Sequence, residues 1–199
     1  LKLKQLADIS TGYSFRSQIR NDPAGVIKII QMGDVDRYKG ILTDQLKSIR
    51  EFNPRSSHYF VESGNIILVN KGHNIFAYEI PKNLGKAVPV NSFLIIKIKK
   101  KGVDTGYLTW YLNSPIGQHY FKSVSVGTDI PNVSISALKS FNVELPSMER
   151  QKIIAKVEQL KIREINILQA IRVNKERYVD ALLQSTVKSK YSQIPESAE

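Results

Sequence analysis

From Met148 to Ile194 the chain contains neither glycine nor proline, although both recur throughout the residues before it. These are the two strongest helix breakers, so the run permits one long uninterrupted helix and little else. Ser147, directly ahead, suits an N-cap because its hydroxyl can accept a bond from a first-turn amide. Glu149 sits in that first turn, where the helix dipole favours a carboxylate. Apolar residues then follow in steps of three and four: Ile153, Val157, Leu160, Ile167, Ile171, Tyr178 and Leu182, with Glu164 and Asn174 occupying two positions of the same seam. This is a heptad-like stripe with two polar interruptions. A second apolar set, including Ile154, Ile165 and Leu168, lies on an adjacent face. Helical to about Lys190, the segment is roughly 60 Å long at 1.5 Å per residue. The spacing predicts a partner helix from another chain or another copy, with Glu164 and Asn174 setting register. The competing reading is an amphipathic helix packed back on its own domain.

Before Pro146 the pattern changes. Short β-rich runs at 26–30, 66–69, 75–78 and 93–98 alternate with glycine-marked turns at Gly12, Gly33, Gly64, Gly72 and Gly127. Asp104 to Asn113 reads as a helix with Leu108, Tyr111 and Leu112 on one side and Pro115 ending or kinking it. The expected fold is α+β: residues 1–146 form a domain with a twisted or barrel-like sheet plus helices, 147–190 a long coiled-coil-like helix, and 191–199 a flexible tail.

Charge narrows the partners. A net charge of +11 and a pI near 9.7, with most of the excess before Met148, favour a polyanion, since each neutralised phosphate releases counterions. With no cysteine, disulfides and thiolate metal sites are excluded. His58, His73 and His119 lack neighbours at ligand spacing, so no metal site is expected. No glycine-rich phosphate loop appears, and Gly12-Tyr13-Ser14-Phe15 lacks the second glycine of a nucleophile elbow. The proline-proline-aromatic signature of amino methyltransferases is missing too. Asp34, Asp36 and Asp44 could hold Mg²⁺ but read more simply as solvated turn residues. The expectation is a non-enzymatic chain with no cofactor of its own. No apolar run approaches the roughly 18 residues of a membrane span, and the start is not a signal peptide, so a cytoplasmic, non-membrane protein is expected. Its first residue, Leu1, fits either a processed chain or an internal piece of a longer reading frame.

Several segments, in order, resemble one family. Leu6-Ala7-Asp8-Ile9-Ser10-Thr11-Gly12-Tyr13-Ser14-Phe15 resembles the opening of a target-recognition domain from the specificity subunits of type I restriction–modification systems. Ile29 to Val35 is similar to that family's next strand and loop. Val61 to Val69 resembles its Gly-Asp-Ile-Leu strand entry, with Asn65 in place of Asp. Gly127-Thr128 through Ile135, Leu138 and Phe141 to Pro146 resembles the domain's end. Leu145-Pro146-Ser147-Met148-Glu149-Arg150-Gln151 resembles the junction to its long helix, with Ser147 where a second proline is common and Arg150 where Glu is common.

The resemblance implies a subunit that reads one part of a split double-stranded DNA site while its helix separates two readers. Methyltransferase (modification) subunits, which use S-adenosylmethionine on adenine N6, and a nuclease/translocase (restriction) subunit would then be its partners. Cofactors belong to those partners. Family members usually carry two recognition domains and two helices, whereas this sequence has one of each. It reads as a half-size subunit that forms a homodimer or pairs with a second half-subunit, or as a fragment. Antiparallel pairing through Ile153, Val157, Leu160, Glu164, Ile167, Ile171, Asn174, Tyr178 and Leu182 would give two readers related by a two-fold axis and an interrupted palindromic site.

Loops carry variable chemistry on a rigid frame, so the candidate DNA contacts are loop residues. They are Tyr13, Phe15, Arg16 and Arg20 in the first loop; Arg37 and Tyr38; Lys71, His73 and Asn74 in a turn between strands; and Thr128, Asp129 and Asn132. Tyr13 and Phe15 read more readily as core than as stacking groups, and Lys99-Lys100-Lys101 as a solvated turn or as phosphate contacts. Two alternatives stay open: a nucleic-acid-binding adaptor with a coiled-coil arm and no methyltransferase partner, and a structural scaffold.

Overall fold

The computed structural model describes residues 1–52, 58–127 and 131–191, with side chains up to residue 187. It divides into two compact units, Leu1–Gln159 and the segment from Leu160 onward.

The first unit is built on two central strands. β6 (Asn65–Val69) and β9 (Phe93–Ile98) pair antiparallel, and every residue of β6 and the first four of β9 are buried. Burial on both faces explains why these strands read as continuous apolar runs rather than alternating ones. β1 (Ala7–Thr11) pairs antiparallel with β9, and β7 (Ala77–Glu79) with β6, giving the order β1-β9-β6-β7. The period of two sorts the core. Ile66, Leu68, Leu94 and Ile96 face a helical layer, while Ile67, Val69, Phe93 and Ile95 face a second sheet.

That second sheet has the order β5-β2-β8, where β2 is Ile27–Ile30, β5 is Lys47–Ile49 and β8 is Ala87–Pro89. β2 runs parallel to β8 and antiparallel to β5. A two-stranded ribbon, β3 (Val35–Asp36) with β4 (Gly40–Ile41), lies between them in sequence. The expected α+β class and long helix are present. The described strands form open sheets, however, and do not close into a barrel: β1 and β7 remain the edges of the larger sheet.

The helical layer comprises α1 (Leu3–Leu6), α2 (Thr105–Asn113), α3 (Pro115–Val124) and α4 (Ile135–Ser140). Asp104 caps α2, its Oδ1 accepting from Tyr107 N at 2.9 Å. Pro115 ends α2 as expected, and it also begins α3, where a proline costs no amide bond and Ser114 supplies the cap. Leu108, Leu112, Phe121, Leu138 and Phe141 seal this layer against the sheet.

α5 spans Met148–Tyr191. Ser147 Oγ accepts from Arg150 N at 3.4 Å, in the capping role that its hydroxyl suggests. Within the first unit Gln151 is the one fully buried residue of α5, at 1 % exposure. Its Nε2 donates to Gly102 O (3.0 Å) and Pro146 O (2.9 Å), and its Oε1 accepts from Asp104 N (2.9 Å). Ile153 and Val157 are exposed.

In the second unit Leu160, Ile167, Ile171, Tyr178 and Leu182 are all exposed, at 49–65 %, as are Glu164 and Asn174. Leu168, Val179, Leu183 and Val187 add further exposed apolar surface. Arg172 and Glu176 form an i,i+4 ion pair at 3.4 Å. No helix among the described residues is long and apolar enough to cross a membrane.

Candidate nucleic-acid interface

Strand register decides where the loops go. Thr11 pairs with Leu94, Val69 with Phe93, and Leu68 with Ala77. The end of β1, the start of β9, the end of β6 and the start of β7 therefore share one end of the four-stranded sheet. From that end spring the loop after Gly12, the turn at 90–92, and the turn at 70–76. Lys99 to Lys101 lie at the opposite end, where Lys99 Nζ pairs with Asp8 Oδ1 at 2.6 Å.

The first loop enters through Gly12, whose amide donates to Phe93 O (2.8 Å). A Cβ at Gly12 would lie 2.1 Å from Val90 O, so no larger residue passes there. Tyr13 and Phe15 are half-buried, and each packs on the satellite core of Ile27, Ile29 and Val88. Tyr13 meets Phe15, Phe52 and Tyr59 edge-on at 4.8, 4.8 and 5.1 Å. Phe52 in turn meets Phe60 at 5.3 Å. Tyr13, Phe15 and Phe52 floor a shallow depression of about 370 Å³, and Arg16, Gln18, Arg20 and Glu51 also line it. The loop is tied to β5 by Lys47 Nζ on Ile19 O (3.1 Å), Ser48 N on Asn21 Oδ1 (2.9 Å) and Arg50 on Asp22 (2.7 Å). Arg16 and Arg20 remain exposed. An apolar floor with a cationic rim can take a sugar–phosphate strand or a base edge.

Arg37 stands over the Phe76 ring at 4.3 Å and near that of Tyr38 at 5.5 Å. Stacking holds a guanidinium plane while leaving its N–H edge outward. The Asp36 carboxylate accepts from Tyr38 N (2.9 Å) and Lys39 N (2.8 Å). The Lys39 and Tyr38 amide bonds hold its pKa below the usual carboxylate range. Beneath them burial, aided by the negative charge of Asp36, pushes the Tyr78 phenol up to about 12.

Lys71, His73 and Asn74 are exposed on the turn after β6, which Gly72 makes possible at φ 100°. Asn132 is brought to the same place. Lys71 and Asn132 form an isolated bridge, Asn70 Nδ2 donates to Asn132 Oδ1 (3.1 Å), and Gly72 N donates to Pro131 O (2.8 Å). Thr128 and Asp129 lie outside the described residues. The other sequence-predicted contacts fall in two neighbourhoods: the first loop beside β5 of the three-stranded sheet, and the turns around Phe76 and Asn70 at one end of the four-stranded sheet. Asn91, whose Nδ2 donates to Ser14 Oγ (3.3 Å), lies on the intervening turn.

Sequence reasoning missed Phe52, Tyr59, Phe60 and Asn91. Their signal is weak, because only the tertiary fold brings them to Tyr13 and Ser14. Among the described residues no cluster of three or more His, Asp or Glu could hold a metal.

Residues 1–172 match the family described as the type I restriction modification DNA specificity domain. The chain belongs to this family. No curated protein matches it. Among solved structures, the S subunit of the type I restriction–modification system from M. genitalium aligns over 88 % of this chain and 42 % of its own, with TM-score 0.59 and 17 % identity. A chain from a study of complex assembly and conformational transition of the type I R-M system aligns over 100 % and 50 %, with TM-score 0.67 and 18 % identity. The HsdS subunit from Thermoanaerobacter tengcongensis aligns over 98 % and 39 %, with TM-score 0.54 and 13 % identity. At such identities the likeness concerns the fold. This specificity-domain chain spans half or less of the length of each of these structures.

Proposed function

We propose that this chain reads DNA sequence for a type I restriction–modification complex and performs no chemistry itself. The observation that carries the reading is the grouping of Arg37, Lys71, His73, Asn74 and Asn132 at one end of the four-stranded sheet, with Arg16 and Arg20 rimming the first-loop depression, in a chain of the specificity-domain family. Arginine forks suit guanine and asparagine amides suit adenine, while lysines and backbone amides hold phosphate. Tyr13 and Phe15 serve chiefly as the floor on which the first loop is fixed, and Tyr38 flanks Arg37. Residues 1–146 are the reader and 147–190 the spacer.

The exposed α5 seam, from Ile153 to Leu182, is the surface for a second copy or a second half-subunit. Methyltransferase subunits bring S-adenosylmethionine chemistry to the bound site, and a nuclease/translocase subunit completes the complex.

The test is co-expression with the methylation subunit in cells free of adenine methylation, followed by mapping of N6-methyladenine. A two-part palindromic motif supports a homodimer, and a non-palindromic one a different second half. No methylation, together with salt-insensitive, negligible DNA binding, refutes the reading. Arg16→Ala and Lys71→Ala should each lower the slope of log K against log salt by about one if the residue holds a phosphate.

A further inference from the structure

Gln151 is polar, sits in the first turn of a largely exposed helix, and is nevertheless 1 % exposed. One side chain ties three segments: the turn after β9 through Gly102 O, the linker through Pro146 O, and the cap of α2 through Asp104 N. Its neighbour on the next turn, Ala155, lies against Gly106 of α2, where an added Cβ would come within 3.0 Å of the Ala155 Cβ. The first turns of α5 are therefore held on α2 by a polar lock and by a close contact that only a small residue allows.

The other end of α2 is also locked. Asn113 Oδ1 accepts from Ala77 N (2.8 Å), and its Nδ2 donates to Ala77 O (2.9 Å). Ala77 follows Phe76, over which Arg37 stacks, and it begins the strand that leaves the Lys71–Asn74 turn. Just beyond α2, Gln118 Nε2 donates to Ile75 O (3.0 Å). A single nine-residue helix thus spans from the junction to the DNA-reading end, with an amide side chain fastening it at each end.

We infer that α2 is a strut between the two, and that Gln151 is a positioning residue setting the direction of the first turns of α5 relative to the reading turns. The inference rests on the DNA-reading function proposed above, and its physical half can be tested without DNA. Because the chain has no cysteine, His73→Cys and Lys156→Cys, both at exposed sites, give a clean pair for spin labels. The parent should give one narrow distance distribution. Gln151→Met keeps side-chain length and removes all three bonds. Gly106→Leu sets a whole side chain against Ala155 on the same face of α5, where an alanine Cβ at 3.0 Å would ask for only a slight shift, while still favouring the α2 helix. Each should shift or broaden the distance by roughly 2–4 Å, as a 10–20° tilt about Met148 would do at Lys156.

In the complex with its methylation subunit, sites differing in the length between half-sites should then be chosen differently. The variants should lose or move the preference while the half-site sequence read stays the same. Unchanged distances in both variants overturn the inference. So do unchanged spacer preferences alongside shifted distances. Absence of any sequence-specific methylation by the parent protein condemns the DNA-reading proposal instead, and the distance measurement still decides the role of the strut.

Discussion

Removing the Asn113 amide tests how firmly the reading end is held. Asn113→Ala deletes two hydrogen bonds to one residue, at 2.8 and 2.9 Å. Ala77 is 2 % exposed, so water cannot readily take over its N–H and C=O. Each buried group left unpaired costs about 1–3 kcal/mol, which puts the loss of both at about 2–6 kcal/mol. At about 2–4 °C per kcal/mol for a domain of this class, and taking about 3 kcal/mol within that range, Tm should fall by about 6–12 °C. The chain has a single tryptophan, Trp110, which lies on α2 and packs on the same core, so its fluorescence follows the unfolding of this unit without the signal of α5. Asn113→Asp sharpens the test. It keeps the acceptor for Ala77 N but sets a carboxylate against Ala77 O, which raises the carboxyl pKa in the folded state. The variant should therefore be most stable below the unfolded carboxyl pKa and lose that stability as pH rises through the folded one. A fall of less than about 2 °C for Asn113→Ala would refute the claim that this amide closes the edge of β7.

Three further outcomes follow from other sites. Gly12→Ala forces a methyl to within 2.1 Å of Val90 O, so the first loop must move; it should destabilise the unit by about 3 kcal/mol or more and weaken DNA binding, read by the same fluorescence melt and by titration with duplex DNA. The Tyr78 phenol, neutral and pushed up to about 12, contributes stability that is present below pH 10 and lost as pH rises through about 12. Absorbance titration should show fewer groups in that late step for Tyr78→Phe, and an unchanged step would show that burial does not act there. Replacing Ile171 and Leu182, exposed at 57 % and 49 %, by lysine should leave the Trp110 melt unaltered while weakening self-association at least roughly a hundredfold in sedimentation.

What the sequence made legible was whatever local chemistry determines. α5 was visible because no glycine or proline interrupts it, and α2 because Leu108, Tyr111 and Leu112 fall on one side of it. β6 and β9 were visible because burial on both faces leaves them apolar throughout. α3 escaped notice because Pro115 reads as a stop, and nothing local says that the same residue opens the next helix. β1 and β8 were missed for a related reason. Asp8 and Ser10 dilute one, and the other is three residues ending in Pro89, so their pairing with β9 and β2 is a tertiary matter. In the candidate interface, glycine-marked turns pointed to Arg37, Lys71 and Asn132, yet the Tyr13–Phe52–Tyr59 contacts join residues far apart in the chain. Gln151 was the least visible. A polar residue in a first helical turn looks solvated until its three partners are seen.

The first residues of the chain run beside the last ones of the recognition unit. Leu1 N donates to Val143 O (2.9 Å), Val143 N donates to Leu1 O (2.7 Å), and Leu3 N donates to Phe141 O (2.8 Å). The two segments therefore run side by side, bridged antiparallel at Lys2 and Asn142. Residues 1–3 and 141–143 are thus one hydrogen-bonded element, so whatever loosens the opening of the chain also loosens the approach to α5.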